Sequence, residues 1–482
     1  MPRSIARAAQ PSLRILYAVL ATVAAYAASR PSSLIEASSA GRSSSPISQA
    51  EGGLSDGDSG GRRLRESSFA EAANYTALEC SRYDKTYEQI EADLRIHREM
   101  GTHLNATKYI ASRLGSVQMR GLTVGFFGGK AMLLVRTDFK GLSHHAKLHM
   151  AYIRMLLHLE DCFGSHIPDV AFVLTTSDTP RYVSATVVNA SHPALPTPLP
   201  AGVTGSRSPF VPPPYPVLGI GKSDYWPDLL LVPNFHFHMK LYDNVTLGAI
   251  PDYTRLPWGE RKEVLFGRFS RYRMNRFSGD PHTYKWGAAG RKICYNANQT
   301  CPTREYFVKR FGSKHRERID VSFEGKRSML NHTAFKYVVN LEGQGISSRL
   351  EQLLPLGSLV FKEASGYYAY YYRTLLRHRG NLVEFWRVGP EEVLAEMDWA
   401  AAHDDEARRI AEAGVQTVQR YLTSNGRTCY WYRLLHGLHS TLAYAPSLEQ
   451  WAQARPLREV VADLEAREEA WTQELLAEPW AP

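Results

Sequence analysis

The feature that most constrains the fold of this sequence is the segment from Lys336 to Lys362, where two apolar runs flank a glycine turn. In order, the segment contains a predicted strand, the glycines, a predicted helix start and a second predicted strand: Tyr337–Leu341, Gly343 and Gly345, Ser347, and Ser358–Phe361. This order predicts a βαβ unit with parallel strands. The sequence therefore favours the α/β class.

The glycine turn is a candidate phosphate site. Ser348 and Glu351 have the spacing of a capping box, which predicts that a helix begins at Ser347–Ser348. Free N–H groups and the dipole at such a terminus favour an anion, and Arg349 adds a fixed positive charge. Glycines after a strand also occur in turns that bind nothing. In a dinucleotide-binding interpretation Glu363 would hold the ribose, although the third glycine is missing.

Other apolar runs extend the α/β pattern along the chain. The 482 residues exceed one comfortable core and predict two lobes with terminal extensions. Three candidate strands are assigned to a first lobe and three to a second: Leu122–Phe127, Val170–Leu174 and Leu229–Val232, then Val264–Phe266, Tyr337–Leu341 and Leu359–Phe361. After Pro390 the pattern becomes strongly helical.

Polar groups follow two of these strands. A basic cluster, 268–276, comes directly after Val264–Phe266, and Asp178 follows Val170–Leu174. Because open parallel sheets bind ligands beyond the carboxyl ends of their strands, we expect the cluster and the Gly343 turn to hold two phosphates in one crevice. At the mouth of that crevice Asp178 is positioned to take a proton from a hydroxyl. Its alternative role is a turn or helix cap.

Two further motifs favour structural roles. His236 and His238 would lie on one side of a strand, but no third ligand is evident, so no metal site is predicted. The tyrosines of 367–372 have the composition of a stacking surface, although we favour packing.

The N-terminus is typical of secreted proteins. Three arginines precede the apolar stretch Ile15–Ala28, so residues 1–30 are predicted to be a signal peptide or signal anchor. The stretch is shorter than the ~20 residues of a transmembrane helix, which fits cleavage near Ala25-Tyr26-Ala27, and an uncleaved signal anchor is the alternative. Residues 31–74 are rich in Ser and Gly and predict a disordered stem. The remaining chain would lie in the lumen of the endoplasmic reticulum or Golgi.

Sequons and cysteines fit an oxidising lumen. The sequons are at Asn74, Asn105, Asn189, Asn244, Asn298 and Asn331. Five cysteines predict two disulfides and one thiol, and Cys294 and Cys301 are close enough in sequence to close a local loop. The net charge of +9 suits nucleic acid, an anionic membrane or a phosphorylated small molecule, and does not choose among them.

These motifs resemble those of a known family. The segments 336–340, 343–349 and 357–361 resemble the signature of the Rumi-like protein O-glucosyltransferases and capsule-associated glycosyltransferases: K-Y-x-x-N, a small-residue loop ending in Arg, and G-S-L-V-F. Further matches follow in the same order: Asp178-x-Pro180, 216–233 around Lys222, 268–276, and Cys429-Tyr430-Trp431.

The resemblance implies a GT-B fold, with two Rossmann-like lobes facing a cleft, followed by C-terminal helices. The implied domains are an acceptor and catalytic-base lobe at 75–255, with a Pro-rich insertion at 193–216, a nucleotide-sugar lobe at 256–405, and helices at 406–482. The insertion has no counterpart in the family, and cysteines of the animal enzymes are absent. Because of these two departures, the resemblance does not indicate which acceptor the chain uses.

The resemblance also implies the chemistry. Asp178 matches the catalytic base of a metal-independent, inverting transfer of glucose or xylose from a UDP-sugar to a protein or glycan, without a cofactor or nucleic acid. Positions matching the donor site are Ser270, Arg271, Arg276, Gln344, Gly345, Ile346, Ser347, Ser348 and Arg349. Cys80 and Cys429 match cysteines that pair in relatives. Phe269 stands where the family usually has glycine. Alternatives are a non-catalytic glycan-binding or nucleotide-sugar-binding protein and a nucleotide-dependent oxidoreductase.

Overall fold

The computed structural model describes residues 73–178, 213–224, 226–272, 303–387 and 389–482, all within one compact unit, Gly61–Pro482. The strands are β1 Gly121–Phe127, β2 Lys130–Leu133, β3 Val170–Thr175, β4 Val217–Gly219, β5 Leu229–Leu231, β6 Lys262–Arg268, β7 Ile319–Ser322, β8 Phe335–Asn340, β9 Leu359–Glu363, β10 Val383–Phe385 and β11 Arg455–Pro456. The helices are α1 Ala73–Ala77, α2 Asp84–Met100, α3 Leu104–Leu114, α4 His144–Phe163, α5 Phe235–Met239, α6 Ile250–Tyr253, α7 Thr303–Tyr306, α8 Met329–His332, α9 Leu350–Leu353, α10 Tyr372–Leu375, α11 Glu392–Ala402, α12 Asp404–Tyr421, α13 Ser424–His439, α14 Leu457–Glu465 and α15 Ala470–Leu476.

The first sheet is mixed, with the order β11-β2-β1-β3-β4-β5. Strands β3, β4 and β5 are parallel, whereas β1 is antiparallel to both of its neighbours. Gly128 and Gly129 join β1 to β2 with φ angles of 56° and 74°, and a two-residue turn of this kind joins only antiparallel strands. The expectation of parallel sheets is therefore right for β3–β5 and wrong for β1, β2 and β11, which are all joined by antiparallel pairings.

The second sheet is parallel throughout, with the order β10-β9-β8-β6-β7. Its strands β8 and β9 enclose the glycine turn and α9, which confirms the predicted βαβ unit. All six predicted strands are present, so the α/β class is confirmed. The five strands that the sequence analysis did not identify are short.

Alternate residues of β8 and β9 face two different hydrophobic clusters. Val338 and Val360 belong to the cluster that also contains the first sheet, whereas Tyr337 and Phe361 belong to a second cluster with α11 and α12. This alternation follows from the period of two along a strand. One face of the second sheet therefore shares a core with the first sheet.

A disulfide joins the N-terminal part of the described chain to helix α13. Cys80 and Cys429 are bonded and fully buried, as the resemblance implied. Cys162 is a free thiol, while Cys294 and Cys301 lie outside the described residues. The signal segment, nearly all of the stem and most of the Pro-rich insertion also lie outside them. Within the described ranges, no helix has both the length and the apolar character needed to cross a membrane.

Candidate active site

The loop after β3 carries Asp178 to the edge of the first sheet. Thr176 anchors this loop, because its N–H donates to the Arg120 carbonyl at 3.3 Å and its Oγ1 lies 2.9 Å from His145 Nδ1. Ser177 is buried and Asp178 is half-buried. The strand end and the first turn of α4 therefore fix the backbone that presents the Asp178 carboxylate.

The loop after β4 leaves the same edge of the sheet and contacts the glycine turn. Leu174 and Leu218 are paired in the parallel register, so the loops that follow them lie side by side. A Cβ on Gly221 would lie only 2.8 Å from Cγ2 of Ile346, so only glycine allows this approach. The first sheet and the candidate donor loop are thus in direct contact.

Lys222, one residue further, holds this junction. Its backbone forms a two-way bridge with Tyr368, with N···O distances of 3.1 Å and 2.8 Å. Its ammonium is 2.7 Å from Asp93 Oδ1, and both side chains are almost completely buried. The ammonium also donates to the Leu229 carbonyl at 2.6 Å. Lys222 therefore connects α2, β5 and the segment after β9.

Arg349 lies at the end of the glycine turn, half-buried under the loop that follows β6. It donates a hydrogen bond to the Arg268 carbonyl, and its guanidinium is 5.4 Å from the Phe269 ring centroid. Burial, and next the charge of Arg304, lower the pKa of Arg349 to about 10. The Arg349 side chain is still cationic at neutral pH. The contribution of Arg304 to the pKa shift indicates that a second positive charge lies close to it.

That second charge, Arg304 on α7, was not identified from the sequence. Its guanidinium donates to the Ser270 carbonyl at 3.1 Å and to the Leu341 carbonyl at 2.8 Å. Burial lowers the pKa of Arg304, and several anionic groups, among them the Asp178 carboxylate, act against that shift. Asp178 therefore lies within electrostatic range of Arg304.

The other predicted donor residues lie in different environments. Arg271 is exposed, with its guanidinium 3.4 Å from Glu324. Gln344 is exposed, whereas Gly345, Ile346 and Ser347 are buried, and Ser348 is half-buried. Arg276 lies outside the described residues. The structure thus brings Arg349, the Ser270 carbonyl and the glycine turn together, and places Arg271 beside Glu324.

The capping box predicted for the glycine turn is wrong. Helix α9 begins at Leu350, and no side chain caps it. Glu351 instead turns inward, where the Tyr371 hydroxyl donates to its carboxylate at 3.4 Å and the Tyr242 hydroxyl donates to its backbone carbonyl at 2.7 Å. Because α9 has a single turn, the arginines rather than a helix dipole supply most of the positive charge here.

The buried Glu351 makes stability pH-dependent. Burial raises the pKa of Glu351 from 4.5 to about 7, while the charge of Lys240 opposes part of that rise. The unfolded chain ionises first, so stability is full below about pH 4.5 and falls as the pH rises to about 7. The loss is about 3 kcal/mol at most.

Glu351→Gln removes this titration. We expect the variant to gain stability over the wild type as the pH rises from 5 to 8, measured by urea unfolding at both values. Glu412→Gln, at an exposed ion pair with Arg408, is the matched control and should show no such trend. A constant difference between Glu351→Gln and wild type at both pH values would contradict the assignment.

The remaining candidate motifs have structural roles. His236 and His238 lie on the short helix α5 rather than on a strand, and His238 Nδ1 is 3.1 Å from the Ala481 carbonyl. No group of three His, Cys, Asp or Glu residues in the described parts of the chain is arranged to hold a metal. The tyrosines of 367–372 are buried, as favoured. Glu363 accepts a hydrogen bond from the Glu342 backbone at 3.0 Å.

The α/β fold thus places two buried or half-buried arginines beside the glycine turn, with a carboxylate in electrostatic range of one of them. Residues 297–477 match the model of glycosyl transferase family 90. This part of the chain, which contains Arg304, the glycine turn and α9, is therefore similar to that family. Asp178 and Ser270 precede the matched residues.

Similarity to individual proteins is confined to shorter stretches. Protein O-glucosyltransferase 2 of Danio rerio is 34% identical over 107 residues, covering 22% of this chain and 21% of that protein. Protein O-glucosyltransferase 1 of Homo sapiens is 30% identical over 118 residues, covering 24% and 29%. The O-glucosyltransferase rumi homolog of Aedes aegypti is 33% identical over 116 residues, covering 24% and 28%. These matches span less than a third of each relative and confirm the resemblance to the Rumi-like family.

Proposed function

We propose that this protein is an inverting, metal-independent glycosyltransferase that moves glucose or xylose from a UDP-sugar to a hydroxyl of a protein or glycan. The observation that carries the proposal is the arrangement of Arg349 and Arg304, which both hydrogen-bond to the loop after β6, with Asp178 in electrostatic range of Arg304. The proposed site thus combines a base for the acceptor, Asp178, with a cation for the diphosphate, Arg349.

The reaction is a single displacement. The Asp178 carboxylate takes the proton of the acceptor hydroxyl as its oxygen attacks the anomeric carbon of the sugar. The bond between that carbon and the diphosphate oxygen breaks, and UDP leaves with the electron pair. Arg349, together with Arg276, stabilises the negative charge that grows on the diphosphate. Two guanidinium groups supply the charge that a metal ion supplies in other transferases, which supports a metal-independent reaction.

The donor would lie against the turn from Gln344 to Ser348. Within this turn Gly345, Ile346 and Ser347 are buried, and the exposed Gln344 is available to a ligand. Ser270 lies beside this turn, because Arg304 connects its carbonyl to the Leu341 carbonyl. The contact between Gly221 and Ile346 brings the acceptor side close to the donor.

We also infer a lumenal location, in the endoplasmic reticulum or Golgi. The buried disulfide between Cys80 and Cys429 supports this inference, because disulfides persist in oxidising compartments. The four sequon asparagines within the described residues are exposed, as glycan attachment requires: Asn74, Asn105, Asn244 and Asn331.

The proposal predicts that Arg349→Ala weakens UDP binding. Hydrogen bonds to a charged group contribute about 1.5–3 kcal/mol, so we expect the Kd for UDP, measured by calorimetry, to rise roughly 10- to 150-fold. Arg408→Ala, which removes an exposed arginine paired with Glu412, is the control and should bind as wild type does. Equal UDP affinity in wild type and Arg349→Ala would contradict the donor site.

A further inference from the structure

We propose that Arg304 is a positioning residue of the donor site, which holds the loop after β6 against the loop after β8 and presents a positive charge to Asp178. This inference rests on the proposed function. Arg304 is buried, with 5% of its surface exposed, so its expected effect on donor and acceptor is exerted mainly through the groups that it holds.

The hydrogen bonds of Arg304 join segments that are distant in sequence. One terminal nitrogen donates to Ser270, which follows β6, and the other donates to Leu341, which follows β8. A Cβ on Gly343 would lie 3.8 Å from the second of these nitrogens, so the glycine turn also packs against Arg304. The planar guanidinium of Arg304 carries its N–H donors in a fixed geometry, so this one side chain restrains both loops at once.

Two aromatic rings complete the setting of the guanidinium. Its carbon lies 5.5 Å from the Phe269 centroid and 5.4 Å from the Tyr272 centroid, within the range of cation–π contacts. Phe269 is buried and also contacts Arg349, whereas 48% of the Tyr272 side chain is exposed. The Nε atom of Arg304 is buried and has no hydrogen-bond partner. Arg304 and Arg349 therefore both pack on the Phe269 ring.

The charged and titratable groups around Arg304 come from four other segments. Glu342 and Glu363, at the ends of β8 and β9, act most strongly to keep it protonated, followed by Tyr272 and Asp178, while Arg349 is the neighbouring cation. Lys362 lies 3.6 Å from Glu342 and offsets part of that carboxylate's charge. Arg304 is thus a buried cation in electrostatic range of two structural carboxylates and of the proposed base.

Two separable effects follow from this geometry. Loss of the two guanidinium hydrogen bonds releases Ser270 and the glycine turn. Donor binding should therefore weaken whatever the charge of the replacement. Loss of the charge makes protonation of the Asp178 carboxylate easier, so activity should begin to fall at higher pH. A purely structural role would change stability or the KM, but it would not move the acid limb of the pH profile.

The test compares Arg304→Lys, which keeps the charge, with Arg304→Met, which removes it, using release of UDP from UDP-glucose by the full chain. We expect both variants to lose roughly 10- to 100-fold in kcat/KM, mainly through a higher KM. The acid limb of the profile should move to higher pH in Arg304→Met and stay in place in Arg304→Lys. Arg316→Met, at an exposed position, is the control.

The outcomes separate this inference from the proposed function. Wild-type activity with unchanged kinetics in both variants overturns the role of Arg304 and leaves the transferase intact. An acid limb that stays in place in Arg304→Met overturns the electrostatic part. If Arg304→Met does not fold, an unchanged KM in Arg304→Lys still overturns the positioning role. A wild-type chain that releases no UDP overturns the proposed function together with this inference.

Discussion

Replacing Asp178 by Asn should lower kcat about 10²- to 10⁴-fold, the range typical of a positioned general base. Asparagine has nearly the same shape but cannot take the proton of the acceptor hydroxyl. UDP should bind the variant as well as it binds wild type, because the arginines of the second sheet are unchanged. Steady-state kinetics with a UDP-sugar, together with a UDP titration, measure the two quantities separately.

Asp252→Asn is the matched control for this variant. Asp252 is an exposed aspartate that pairs only locally with Arg255, so its replacement should leave kcat within experimental error. A normal kcat in Asp178→Asn would remove Asp178 as the base. A non-catalytic sugar-binding protein would give that result, since its ligand affinity does not depend on a proton acceptor.

Lys222→Met should have the largest effect on stability, lowering the free energy of unfolding by about 3–5 kcal/mol. The substitution leaves the Asp93 carboxylate, of which 1% is exposed, without its cation inside the core. Asp93 also accepts a hydrogen bond from the Leu231 backbone at 2.8 Å, so it cannot turn outward without losing a contact to β5. Urea unfolding followed by circular dichroism measures the change.

The control for Lys222→Met is Lys309→Met, which breaks an exposed pair with Glu305 at 2.7 Å. Pairs of this kind contribute about 0.3–0.5 kcal/mol. The double variant Asp93→Leu with Lys222→Met removes both charges and should recover part of the loss. A Lys222→Met variant as stable as Lys309→Met would contradict the role given to the buried pair.

The elements predicted correctly from the sequence are those with strong local signals. The apolar runs of β1, β3, β5, β6, β8 and β9 stand out because their residues are buried on both faces. The short edge strand β2 was missed, although Gly128-Gly129 between two apolar runs is a hairpin signal that could have identified it.

The errors and omissions at the site come from contacts between residues distant in sequence. Ser348 and Glu351 have the correct spacing for a cap, but packing of Glu351 against Tyr242 and Tyr371 outweighs that local preference. Arg304 carries no motif, and its partners Ser270 and Leu341 are 34 and 37 residues away. A single sequence does not indicate such partners.

The central claim is that the chain transfers a sugar from a UDP-sugar with Asp178 as the base. The most direct measurement offers the purified protein a panel of UDP-sugars, with candidate acceptors and a metal chelator, and follows UDP release beside Asp178→Asn. We expect the wild type to consume UDP-glucose or UDP-xylose and the variant to be nearly inactive. Absence of turnover with every UDP-sugar, or equal turnover by both proteins, would contradict the claim.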